Sequence, residues 1–107
     1  MSLSNEIVIC TFRVIPGKHE EFRALLARHW TVLRQLDLVE DSPHLLLEGV
    51  DPGVDGDLVE IFAWKSKEAV EKAHHSPEIL ALWEPMGALC ESRHGRPAME
   101  FPHYRPS

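Results

Sequence analysis

The stretch EIVICTFRVIPG, Glu6 to Gly17, constrains this chain more than any other. Its β-branched run reads as a strand over Glu6–Ile15, and Pro16-Gly17 closes it with a turn. Successive side chains of a strand point to opposite faces, so Ile7, Ile9 and Thr11 share one side and Val8, Cys10, Phe12 and Val14 the other. Both sides are largely apolar. A strand wet on one face alternates apolar with polar residues, so this one requires cover on both.

One cover is legible immediately downstream. From Lys18 to about Leu36, the residues Phe22, Leu25, Leu26, Leu33 and Leu36 fall on one helical stripe, with Val32 and Trp30 at its edges. Glu20 and Glu21 occupy the first turn, where they suit the positive end of the helix dipole. Two strand candidates follow, His44–Gly49 and Asp57–Trp64, joined by the loop DPGVDG. Ser66 suits the N-cap of a short helix over Lys67–His74, and Ser76-Pro77 suit N-cap and N1 of a second segment. In that segment Ile79, Leu82, Trp83, Met86 and Cys90 share a face, and Pro85 is expected to kink or interrupt it. Ala98–Tyr104 alternates as a last strand, with Pro102 marking an edge position or an early end.

The order is β-α-β-β-α-β, an α+β ferredoxin-like arrangement with one antiparallel sheet and both helices on one of its faces. At 107 residues, the whole chain, 1–107, reads as a single domain. The other sheet face is then bare, and a broad exposed apolar face is rare on monomers. A second copy is the expected cover, giving a homodimer by packing of sheet on sheet.

Charge narrows the partners. With a formal net charge of -6, the chain has no basic footprint for nucleic acid or for an anionic membrane surface. No apolar run approaches the ~18 residues of a membrane span, and the N-terminus lacks the order of a secretory signal. Met1-Ser2-Leu3 has the character of an expression leader, and nothing rests on it. Cys10 and Cys90 lie far apart without CxxC spacing, which argues against a disulfide framework or a thiolate zinc site and for a cytoplasmic location. Both are expected to act as small buried hydrophobes. There is no phosphate loop, nucleophile elbow, dinucleotide fingerprint or zinc spacing.

The opening strand and helix start IVICTFRVIPGKHEEF, the passage EIFAWKSKEAVEKAHHSPE and the closing AMEFPHY resemble the dimeric α/β-barrel superfamily, and within it the antibiotic-biosynthesis-monooxygenase-like group. The resemblance implies a small dimeric barrel. Some members of the group oxidise aromatic polyketide or quinol substrates without metal or flavin, some degrade haem, and many have no known activity. Against the haem-degrading branch, Ala73 stands where an aromatic is expected, Trp83 where the haem-ligating histidine is, and Cys10 or Thr11 where an asparagine is. Against the oxidising branch, His74 lies two residues before Ser76 rather than three, and Glu78 follows Pro77 where a second histidine is expected.

Several side chains are candidates for chemistry. His29 projects onto the apolar stripe between Phe22, Leu26 and Leu33, and a polar ring there needs a partner or costs about 1–3 kcal/mol. It is either a core histidine tied to a backbone carbonyl or to a carboxylate such as Glu60, or a neutral imidazole lining a cavity and able to accept a phenolic proton. His74 and His75 point about 100° apart on a helix and lack an i, i+4 ligand, so they read as a helix boundary, with His74 the one nearer the apolar side. Trp30, Trp64 and Trp83 are core residues by default, while Trp64 and Trp83 could also wall an aromatic-ligand pocket. Glu48, Glu60 and Glu100 sit in the strand regions, where they are either solvated or on the rim, or one of them partners a histidine.

From the resemblance follows the expectation of a cofactor-independent monooxygenase-like protein acting on a small aromatic or quinol-type molecule. His29 or His74 would be its catalytic base, and Phe22, Leu26, Leu33, Trp64, Trp83 and Met86 would line the substrate pocket, with no metal and no cofactor. The rival is a non-catalytic small-molecule-binding protein of the same fold. A third reading is a divalent-metal site using His74, His75 and an acidic residue from elsewhere.

Overall fold

In the computed structural model, which describes residues 6–107, β1 (Ile7–Arg13) is an interior strand, as its two-sided apolar pattern requires. The Met1-Ser2-Leu3 stretch lies outside the described residues. The chain continues through α1 (His19–Gln35), β2 (Val39–Glu48), β3 (Asp57–Trp64), α2 (Lys67–His74), α3 (Pro77–Ala88), β4 (Met99–Glu100) and β5 (His103–Tyr104). The sheet order is β2-β3-β1-β4, with β5 also on β1, and every pairing is antiparallel. This is the expected ferredoxin-like α+β architecture.

Register assigns the faces. Val8 pairs with Phe62, Cys10 with Glu60 and Phe12 with Leu58, and these residues lie beneath the helices. There Phe12, Phe22, Phe62, Leu26, Leu33, Leu58 and Ile79 are sealed from solvent. Phe12 meets Phe22 of α1 with ring centroids 4.8 Å apart. Leu36, expected on the buried stripe, is instead 38% exposed, because α1 ends one residue before it.

Three elements differ from the sequence expectation. β2 begins at Val39 rather than His44, and its register on β3 shifts between those two residues. Pro43, which cannot donate to a ladder, sits within that irregular stretch. α3 runs through Pro85 without interruption. The bond a proline removes there is to the carbonyl of Ala81, which is exposed, so water can serve it. The last strand is split around Phe101-Pro102, although the segment stays on the edge of β1: Arg13 N–H donates to the Ala98 carbonyl at 2.9 Å and Ile9 N–H to that of Pro102 at 3.0 Å. Pro102 has no N–H to return.

The second helical region is two helices because two serines start it twice. Ser66 Oγ accepts from Ala69 N–H at 3.0 Å and Ser76 Oγ from Ile79 N–H at 3.3 Å. Ser66→Ala is expected to cost about 1 kcal/mol, read as a lowered urea midpoint with an unchanged slope.

On the far face, Ile9 pairs with Ile61 and Ile61 with Leu45, while Thr11 pairs with Val59 and Val59 with Leu47. Leu45 and Leu47 are about half exposed, as is Tyr104 of β5 opposite Ile7. One end of this face is closed by charge. Arg13 and Asp57, each 4% exposed, lie 3.8 Å apart, and Arg93 Nη2 donates to Asp57 Oδ1 at 3.1 Å. Arg13 also bonds the Pro97 carbonyl and Glu100, which pins the segment after α3 to the sheet.

Candidate functional site

Between the helices and the sheet lies a pocket of about 400 Å³, toward the lower end of the range for small-molecule sites, about 300–1,000 Å³. Its floor is Val8, Cys10 and Phe12 of β1 with Phe62 and Trp64 of β3. Val70, His74, Trp83, Met86 and His29 form the roof, and Met99, Phe101 and His103 close the open edge. The lining is almost wholly apolar and aromatic, so the few nitrogens in it decide its chemistry.

His29 is 4% exposed. Its Nε2 accepts from Trp83 Nε1–H at 2.9 Å, so the neutral ring carries its proton on Nδ1. That partner is neither Glu60 nor a backbone carbonyl, the two expected from sequence. Burial pushes the imidazole down to about 4, so it is uncharged at neutral pH. Since an unfolded histidine titrates near 6.5, the unfolded chain binds the extra proton between those values, and the ring's contribution to stability, complete above about 6.5, is lost as pH falls. Between pH 7.5 and 5 the wild type is expected to lose about 2 kcal/mol more than His29→Phe, measured by urea unfolding at each pH. The buried Glu60, whose shift acts in the opposite sense, is common to both proteins and cancels in that difference.

His74 is arranged differently. Its Nδ1–H donates to the Val70 carbonyl at 2.8 Å, the preceding turn of α2, which leaves Nε2 as the nitrogen with a lone pair. The ring meets Trp83 edge-on, with centroids 5.0 Å apart. His75 makes the same backbone bond, to the Glu71 carbonyl, but is not part of the pocket. Among the described residues no group of three His, Cys, Asp or Glu side chains is placed to hold a metal.

Trp64 and Trp83, with Met86, line the pocket. Phe22, Leu26 and Leu33 do not: they are packed in the core beyond the cavity, each at most 2% exposed. Cys10 lines the floor, and burial raises its thiol far above the ordinary value, so it is a protonated, apolar surface. Trp64 Nε1 and His29 Nδ1 are buried donors without a hydrogen-bond partner.

Glu60 does partner a histidine, but it is His44. Glu60 Oε2 and His44 Nε2 are 2.9 Å apart, and His44 stacks on Trp30 at 3.6 Å with nearly parallel planes. Burial raises the Glu60 carboxyl, opposed in part by His44. Sequence reading also passed over His103. Its signal was present: Met99, Phe101 and His103 share strand parity, and all three border the pocket.

No family model and no curated protein sequence matches the chain. Solved structures do. Rv0793 from Mycobacterium tuberculosis is 25% identical with a TM-score of 0.75, the match covering 97% of this chain and 96% of that one. SnoaB from Streptomyces nogalater, described as a cofactor-independent oxygenase, is 21% identical over 97% of this chain and 94% of its own, again with a TM-score of 0.75. The chain shares the fold of these structures. A further structure described as an antibiotic biosynthesis monooxygenase matches with a TM-score of 0.72 at 17% identity, over 95% of this chain and 98% of that one. Among the described residues no helix is long and apolar enough to cross a membrane.

Proposed function

We propose that this protein binds a small phenolic or quinol-type aromatic molecule between its helices and its sheet and oxidises it with dioxygen, without a resident cofactor. The observation that carries the reading is the apolar, aromatic-walled pocket with His74 at its roof, one ring nitrogen tied to the backbone and the other left for a ligand. SnoaB's description as a cofactor-independent oxygenase on the same fold supports it.

In this mechanism His74 Nε2 removes the phenolic proton, and the electron-rich phenolate reacts with dioxygen in the apolar pocket. One oxygen atom enters the ring and the other leaves as water, so a phenol and dioxygen become a quinone and water. His29, uncharged and engaged by Trp83, holds the indole in place rather than taking the proton, since protonating Nε2 would break that bond. The buried N–H groups of Trp64 and His29 cost about 1–3 kcal/mol each while unpaired, which a ligand oxygen could offset.

The assembly proposed with this activity is a homodimer through the far face of the sheet, where Leu45, Leu47 and Tyr104 flank Ile9, Ile61 and Val59. One observation favours binding without turnover: of the two histidines expected to act, His29 has its acceptor nitrogen already occupied. Thermal shift against a panel of phenols, quinols, quinones and haem, followed by oxygen-electrode measurement for every binder, separates the readings. Oxygen uptake with a phenol or quinol is expected; binding without uptake selects the non-catalytic protein, and no binder in the panel contradicts both.

A further inference from the structure

His103 borders the pocket from the side opposite to the helical roof. It lies on β5, where its register partner is Val8 of the pocket floor. The ring is fixed. Its Nδ1 lies 2.9 Å from Glu6 Oε1, and this bond holds the Glu6 carboxyl below the usual carboxylate range, so the carboxylate accepts and Nδ1–H donates. The nitrogen left over is Nε2, with its lone pair. β5 is itself held by the Pro102 carbonyl, which accepts from Ile9 N–H. A carboxylate fixing one ring nitrogen so that the other meets a ligand is a recurring way to orient an imidazole.

Two imidazoles on different elements therefore border the pocket, His74 in the roof and His103 at the edge of the floor, each with its Nδ1 already bonded. We propose that His103, aimed by Glu6, is a specificity-determining contact that selects aromatic ligands bearing two ring hydroxyls, one for each imidazole. The inference rests on the reading that this pocket takes an aromatic molecule. A ring with one hydroxyl satisfies one imidazole and sets carbon against the other, which then gives up its hydration without a partner. A dihydroxy ring donates to both. Glu6 is a positioning residue: it does not touch the ligand but keeps the ring of His103 in the tautomer and direction that accept a hydroxyl proton.

Equilibrium dialysis under argon with naphthalene, 1-naphthol and 1,5-dihydroxynaphthalene tests this on the full-length protein. The wild type is expected to bind the diol about tenfold more tightly than 1-naphthol. In His103→Phe the two should bind alike, with 1-naphthol affinity kept, and in Glu6→Gln the preference should fall part of the way. A merely structural role for either residue would weaken all three probes together and leave the ratio intact. A wild-type protein that binds diol and 1-naphthol equally, or a preference that survives in His103→Phe, overturns the inference while the aromatic site stands. Full preference in Glu6→Gln removes the positioning role of Glu6. If none of the three binds, the aromatic pocket itself falls and this inference with it.

Discussion

His74→Phe is expected to lower kcat/KM for oxygen consumption by about 10²–10⁴-fold, the range for loss of a positioned general base, with ligand affinity lowered by no more than about tenfold, the worth of one hydroxyl contact. The effect follows from what the substitution removes. Phe keeps the edge-on contact with Trp83 and the apolar roof, but has no Nε2 lone pair and no Nδ1–H for the Val70 carbonyl. The bond to that carbonyl is exposed, so water can replace the lost donor and folding should survive. A drop in kcat with KM nearly unchanged marks a group used in the transition state; a rise in KM alone would make His74 a binding residue. Activity unchanged in His74→Phe contradicts the proposed mechanism.

Ile61→Glu is expected to convert the proposed homodimer to a monomer at micromolar concentration. Ile61 is at the centre of the far face, between Ile9 and Leu45 in register. A carboxylate without a partner in a buried apolar interface costs several kcal/mol, which raises Kd by at least about 100-fold. In the free monomer the same side chain is partly exposed to water, so the fold itself should tolerate it. Light scattering should give half the wild-type mass, with the circular dichroism spectrum retained. A monomeric wild type, or a dimer that survives Ile61→Glu, places the association elsewhere or removes it.

The fold was legible because its elements follow from periodicity that packing then reinforces. β1 declares two apolar faces, α1 one stripe, and the two serines announce α2 and α3 before they start. What escaped depends on contacts between elements distant in sequence. His29 was rightly placed inside, but no local pattern could choose Trp83, 54 residues away, over Glu60 as its partner. Glu60 instead meets His44, because β2 pairs with β3 through a register shift that the sequence does not display. Phe22, Leu26 and Leu33 share the stripe of His29, yet a helical projection says only which residues face the sheet; where the cavity opens is set by the side chains opposite. His103 shares the strand parity of Met99 and Phe101, but Pro102 breaks the strand between them, so local pattern alone does not carry that parity on to His103.

The most direct measurement is a crystal structure of the protein soaked with 1-naphthol at a concentration that saturates it in solution. The ring is expected between Trp83 and Met86 on one side and Cys10 and Phe12 on the other, with the hydroxyl oxygen about 3 Å from Nε2 of His74. A ligand seated anywhere else, with the space between helices and sheet left to solvent, would contradict it.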